Sequence, residues 1–132
     1  MNEISGASLH EYRTPAGLQV VKLQPEIGAE LSGIDLADEI SAAAGADIKN
    51  ALLAHGVIFF RNQNLSYESQ LRFARLFGEV MAEKKNAEQP EVLEVRSRAG
   101  SREGTASTWH SDGCYMQIPP AIAILRAIGT PR

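Results

Sequence analysis

Two side chains that can bind a metal stand one residue apart in this chain, His110 and Asp112. On an extended strand, side chains at i and i+2 leave the same face, with Cα atoms roughly 6.5–7 Å apart. An imidazole and a carboxylate in that arrangement can supply two ligands of a 2-His-1-carboxylate iron site. Such a site needs one more histidine, and neither His10 nor His55 is placed to provide it. The alternative is a hydrogen-bonded His110 in the core and an Asp112 that begins a turn at Gly113.

The neighbours of the pair also have two interpretations each. Trp109 is either a core aromatic, which we favour, or part of a dry wall around a metal. Cys114 would share a face with Asp112 if a strand continued, but a simply buried thiol is the preferred interpretation. As the single cysteine of the chain, Cys114 excludes an intrachain disulfide.

Four segments form an ordered set of motifs. The segments are Ile27–Leu36, His55–Gln63, Leu71–Glu79 and Ser107–Tyr115, the last followed by Pro119-Pro120 and the apolar run Ala121–Ile128. In these motifs and their order, the chain resembles the Fe(II)/2-oxoglutarate dioxygenases of the TauD/TfdA type, the taurine dioxygenase family. The resemblance extends from about Leu18 onward, with a less similar stretch between Val80 and Gly104.

The resemblance implies roles for named residues. His110 and Asp112 would be Fe(II) ligands, with 2-oxoglutarate as co-substrate, O2 as oxidant and a small organic acid or sulfonate-like substrate near Gly113 and Tyr115. No further catalytic residue is assigned. The family's third ligand, a distal histidine, and the arginine that binds 2-oxoglutarate are expected beyond Arg132, so the cofactor-binding residues are unknown.

The match to the family is incomplete at the substrate positions. Members that act on taurine carry a histidine and an asparagine where this chain has Met81-Ala82-Glu83 and Ala106. Taurine itself is therefore a doubtful substrate.

Several elements must position these residues. Hydrophobic periodicity and caps predict a strand over Leu18–Leu23, a strand or turn over Ala29–Leu36, a helix over Ser41–His55 capped by Gly56, a strand buried on both faces over Val57–Phe60, a helix from Ser66 to Gly78, a strand over Val92–Val95 and a lid-like loop over Arg96–Ala106. These elements predict an α+β fold with helices on one side of a mainly antiparallel sheet. The resemblance sharpens this to an incomplete double-stranded β-helix, or jelly roll.

The domain organisation follows from the same elements. We expect one TauD/TfdA-like domain over residues 1–132, apparently truncated at its C-terminus, with a loose N-terminal arm over residues 1–15. Whether the sequence is a truncated record or a natural short product stays open, as does the ability of the half-barrel to fold alone.

Composition restricts the remaining function classes. A hydrophobic content of 44%, a charged content of 22% and a net charge of -3 are ordinary for a soluble globular protein and give no reason to expect a nucleic-acid partner. No apolar run reaches the roughly 18 residues of a membrane helix, and Met1–His10 lacks the features of a secretory signal. A cytoplasmic location is therefore expected, and a homo-oligomer is left open.

Two function classes remain. The leading hypothesis is the N-terminal half of an Fe(II)- and 2-oxoglutarate-dependent dioxygenase. The second is a catalytically inactive remnant, or a module that binds a partner through the unfinished edge of its sheet, because unpaired strand edges favour association. An active site completed between two chains is a third hypothesis. Activity of the 132-residue chain by itself stays open.

Overall fold

The computed structural model describes residues 10–82, 91–92 and 109–129. The chain divides into two compact units, residues 1–77 and 78–132. All the assigned helices and strands of the described residues lie in the first unit. The second unit contributes turns and irregular backbone where it is described.

The first unit contains a four-stranded sheet. Its strands are β1 (Glu11–Arg13), β2 (Gln19–Lys22), β3 (Ala29–Ser32) and β4 (Ile58–Phe60), and they lie side by side in sequence order. β1 with β2 and β2 with β3 are antiparallel pairs, whereas β3 with β4 is parallel. The long connection between β3 and β4 contains a helix, as a parallel connection requires. The mainly antiparallel sheet is thus confirmed, with one parallel pair.

The helix α1 (Ala42–His55) provides that connection. The hydroxyl of Ser41 accepts a hydrogen bond from the Ala44 N–H at 3.2 Å, and Gly56 closes the other end with φ +70°. Gly56 is the glycine cap that the sequence predicts, and Ser41 is an N-cap that the structure adds. Ile48 is fully buried, and α1 packs against β4. The predicted helix is confirmed.

The second helix, α2 (Tyr67–Arg75), is also confirmed, although it ends before the predicted Gly78. Ser66 caps its first turn by accepting from the Ser69 N–H at 3.1 Å. Phe73 makes edge-to-face contacts with Phe60 of β4 and with Phe77, at centroid distances of 5.7 Å and 5.4 Å. The core of the first unit consists of apolar side chains from sheet and helices, namely Leu18, Val20, Ala29, Leu31, Leu36, Ala44, Ile48, Ala51, Leu71 and Phe73.

The loose arm predicted for residues 1–15 is wrong for Glu11–Arg13, which form β1, and residues 1–9 lie outside the described part of the chain. Two non-local contacts hold this region. The Tyr12 hydroxyl lies 3.0 Å from Nε2 of His55 at the end of α1. The buried carboxylate of Asp47 accepts a hydrogen bond from the Ala16 N–H at 2.7 Å.

The strand predicted over Val57–Phe60 is confirmed as β4, but its burial on both faces is not. Phe59 is 41% exposed because β4 is the last strand of the described sheet and Phe59 points to the face opposite the core. In register with it, Val21 and Glu30 form a row across that outer face.

Among the described residues, neither helix has the length and apolar character of a membrane span.

Candidate metal centre

His110 and Asp112 lie in irregular backbone that leads into a turn. Residues 109–111 are not in a strand, and residues 112–115 form a turn, so the predicted extended geometry of the pair is wrong. The Cys114 N–H donates to the Ser111 carbonyl at 3.4 Å, and the Met116 N–H donates to the Gly113 carbonyl at 2.9 Å. The interpretation that Asp112 begins a turn at Gly113 is therefore confirmed, with Gly113 at φ +63°.

The turn nevertheless brings the two side chains together. Nε2 of His110 lies 3.3 Å from Oδ1 of Asp112, and the side chains are 48% and 63% exposed. Two ligands that each lie about 2.1 Å from one ion, at a right angle, stand about 3 Å apart. The observed separation fits neighbouring positions of such an octahedral ion, and the nitrogen and oxygen donors suit ferrous iron.

A third protein ligand is not found among the described residues, which contain no group of three His, Cys, Asp or Glu side chains able to hold a metal. His55 is nine-tenths buried against Tyr12, in the first unit. The structure therefore brings together His110 and Asp112, the two ligands predicted within this chain, and the described residues add no third.

The residues after the pair occupy two different environments. Gly113 is half-buried, whereas Tyr115, in the same turn, is 87% exposed. Their assignment to substrate binding stays a prediction. Trp109 is fully exposed and Cys114 is exposed, so the predictions that both are buried are wrong. The residue types of Trp109 and Cys114 favour burial, but local sequence does not show which other side chains would cover them.

Several predicted elements cannot be compared with the structure. The loop Arg96–Ala106 lies outside the described residues, as does all of the strand Val92–Val95 except Val92.

The apolar run Ala121–Ile128 is described and contains no assigned strand. Met81 of the substrate-related segment is 40% exposed, while Glu83 and Ala106 are not described.

Other polar side chains of the four motifs form contacts that support the fold. Nε of Arg61 forms an ion pair with Oε2 of Glu30 at 3.0 Å, and the Arg61 guanidinium lies 5.9 Å from the centroid of the Phe59 ring. The amide oxygen of Gln63 accepts from the Leu36 N–H at 2.8 Å. This role of Gln63 could not be predicted from the sequence, because a side chain that binds a distant backbone amide leaves no local pattern.

The chain belongs to the TauD/TfdA family, because the sequence model of the family described as "Taurine catabolism dioxygenase TauD, TfdA family" matches residues 19–132. It is 38% identical to an alkylsulfatase of Acinetobacter baylyi, over 86% of this chain and 36% of that protein. It is 33% identical to an alpha-ketoglutarate-dependent sulfate ester dioxygenase of Pseudomonas putida, over 97% of this chain and 43% of that protein. The chain thus spans less than half the length of these curated relatives.

A solved crystal structure is also similar to this chain. The crystal structure of a taurine dioxygenase from Burkholderia xenovorans is 37% identical, with a TM-score of 0.53 over 56% of this chain and 28% of that chain. The four-stranded mixed sheet with its two helices is an α+β arrangement similar to part of that structure.

Proposed function

We propose that this chain is the N-terminal part of an Fe(II)- and 2-oxoglutarate-dependent dioxygenase and that His110 and Asp112 are two of the ligands of its iron. The family membership supports the reaction class. The approach of His110 Nε2 to Asp112 Oδ1 within 3.3 Å is the observation that carries the ligand assignment. The remaining iron ligand and the residues that bind 2-oxoglutarate are proposed to lie beyond residue 132, in a jelly roll of which this chain forms only a part.

When bound, ferrous iron with 2-oxoglutarate and O2 supplies oxidative decarboxylation of the co-substrate coupled to hydroxylation of the substrate. The contribution of this chain is to hold two donor groups next to each other. His110 and Asp112 would hold the iron and would leave other coordination positions for small molecules. Both side chains are about half exposed, so ligand exchange at the ion does not require the turn to open.

The substrate class that we propose is a small organic acid that carries a sulfate ester or sulfonate group. The Pseudomonas putida relative is a sulfate ester dioxygenase, and an alpha-ketoglutarate-dependent sulfonate dioxygenase of Saccharomyces cerevisiae is 27% identical over 86% of this chain. Met81-Ala82-Glu83 and Ala106 replace the residues expected for taurine, which favours a different member of this class. Gly113 and Tyr115 are proposed to lie near the substrate.

Metal titration of the chain tests the ligand assignment. Co2+ is expected to shift the NMR signals of His110 and Asp112. His110→Ala or Asp112→Ala is expected to weaken Co2+ binding by more than about tenfold, because loss of a residue that only hydrogen-bonds to a metal ligand already lowers metal affinity by about 10- to 100-fold. The control variants His10→Ala and Asp38→Ala remove an exposed imidazole and an exposed carboxylate elsewhere. Equal weakening by the control variants and the ligand variants would contradict the assignment.

Activity provides the second test. The product of the whole reading frame is expected to form succinate from 2-oxoglutarate in the presence of Fe(II) and an alkyl sulfate ester, and His110→Ala is expected to abolish this turnover. Unchanged turnover in that variant would remove His110 from the ligand set. The matched variant is again His10→Ala, which keeps the proposed ligands.

A binding module is the second candidate function, and a specific observation favours it. Large apolar side chains of the second unit are exposed, including Trp109, Ile118 at 82% and Leu125 at 92%. Exposed apolar side chains of this size are typical of interaction sites where they form one contiguous patch. Absence of iron-dependent succinate formation from the whole reading frame, together with binding of a protein partner that depends on Leu125, would favour this candidate over the enzyme.

A further inference from the structure

The backbone turn beside the proposed ligands contains an unusually crowded glycine. A Cβ atom built on Gly113 would lie 2.6 Å from Cδ and 3.2 Å from Cγ of Pro120, and 3.3 Å from Sδ of Met116. Among the glycines of the described ranges, Gly113 is the one where an added Cβ would come closer than 3.0 Å to another atom. The turn therefore packs directly on the proline ring.

Burial independently indicates the same contact. Between Trp109 and Pro120, all residues are exposed except Gly113 and Pro120, which are both half-buried. The two residues cover each other in a stretch that is otherwise open to solvent. This contact joins the turn at residues 112–115 to the segment that leads into the apolar run.

The contact cannot yield easily to a larger residue. Cδ of Pro120 is bonded to its own backbone nitrogen, and the ring has no rotatable bond that would move it away. A side chain at position 113 would therefore displace backbone, either at residue 113 or at residue 120. Gly113 also has φ +63°, a left-handed conformation that is unfavourable for most L-residues.

We infer that Gly113, packed on Pro120, is a positioning residue that holds Asp112 next to His110. Gly113 lies inside the turn that the Cys114 N–H closes onto the Ser111 carbonyl, so a displacement of its backbone also moves the backbone that carries Asp112. Functional groups at a metal must stay within about 0.5 Å of their required positions. The inference rests on the proposed function for its consequence in metal binding, while the geometric effect on the pair does not need a metal.

The metal-free measurement is the nuclear Overhauser effect between the His110 ring proton Hε1 and the Asp112 Hβ protons in the 132-residue chain. The effect is expected in the natural sequence, lost in Gly113→Ala and recovered in Gly113→Ala/Pro120→Ala, where the obstructing ring is absent. Gly113→Asn separates the two causes, because asparagine tolerates positive φ but still carries a Cβ. We expect this variant to lose the effect as well.

Co2+ affinity is the second measurement. Gly113→Ala is expected to weaken Co2+ binding by about 10- to 100-fold, the range for residues that orient metal ligands, and the double variant is expected to recover most of it. Gly129→Ala is the matched control, because no atom lies within 4 Å of its added Cβ and its φ is not positive. Helical circular dichroism monitors folding in every variant, and no change is expected.

The outcomes separate this inference from the proposed function. If the natural chain shows no Co2+ binding that depends on His110, the proposed ligand assignment fails, and the Overhauser effect still decides the role of Gly113. Persistence of that effect in both Gly113→Ala and Gly113→Asn would overturn the inference. So would its absence from the natural chain, or a failure of Pro120→Ala to restore the pair in the folded double variant.

Discussion

The glycine inside α1 offers a sharp test of the fold. Gly45 lies in the interior of the helix, where glycine is about 1 kcal/mol less favourable than alanine. A Cβ added at Gly45 would lie 3.7 Å from Cδ2 and 3.9 Å from Cδ1 of Leu76, which is ordinary van der Waals contact. Gly45→Ala should therefore gain helix propensity without a steric cost.

The expected stabilisation is about 1 kcal/mol, because the contribution of one helix position dominates and the new methyl group adds a small apolar contact. For a chain of this size the melting temperature would rise on the order of 3–4 °C. Urea unfolding followed by helical circular dichroism measures the free energy, and the urea midpoint should rise while the slope stays the same.

Gly17→Ala is the matched control, and it is expected to have the opposite sign. No atom lies within 4 Å of an added Cβ at Gly17, but its φ of +92° is unfavourable for alanine, so a loss of about 1 kcal/mol is expected. A neutral or destabilising Gly45→Ala would refute the reasoning, because it would show that α1 needs the smaller residue for close packing. Stabilisation by both variants would refute the assigned backbone of Gly17.

Three further predictions concern single contacts and activity. Asp47→Ala removes the acceptor of the Ala16 N–H and is expected to destabilise the first unit by about 1.5–3 kcal/mol in urea unfolding, whereas Asp47→Asn, which keeps an acceptor, should cost less. Ser66→Ala removes the N-cap of α2 and should cost about 1 kcal/mol in the same measurement, with Ser66→Asp close to neutral. The 132-residue chain alone should form no succinate from 2-oxoglutarate, because its described residues include the two proposed metal ligands and no group of three that could hold the ion; stoichiometric turnover would contradict this.

The parts of the fold that depend on local sequence could be predicted. Ser66 stands before an apolar periodic segment and caps α2, since its hydroxyl and the amide that it accepts from are three residues apart, and Gly56 closes α1 as predicted. β1 could not be predicted in this way. Its three residues, Glu11–Arg13, have no apolar alternation, and the strand forms through pairing with β2 and through the contact between Tyr12 and His55, 43 residues away.

The candidate site shows why correct residue types do not imply correct geometry. The spacing of His110 and Asp112 predicts convergence only on a strand, where alternate side chains share a face. The backbone there turns instead, and Nε2 and Oδ1 lie 3.3 Å apart directly before Gly113, which has a left-handed conformation. The pair therefore depends on a third residue, Gly113, whose importance comes from the space that its missing side chain leaves for Pro120.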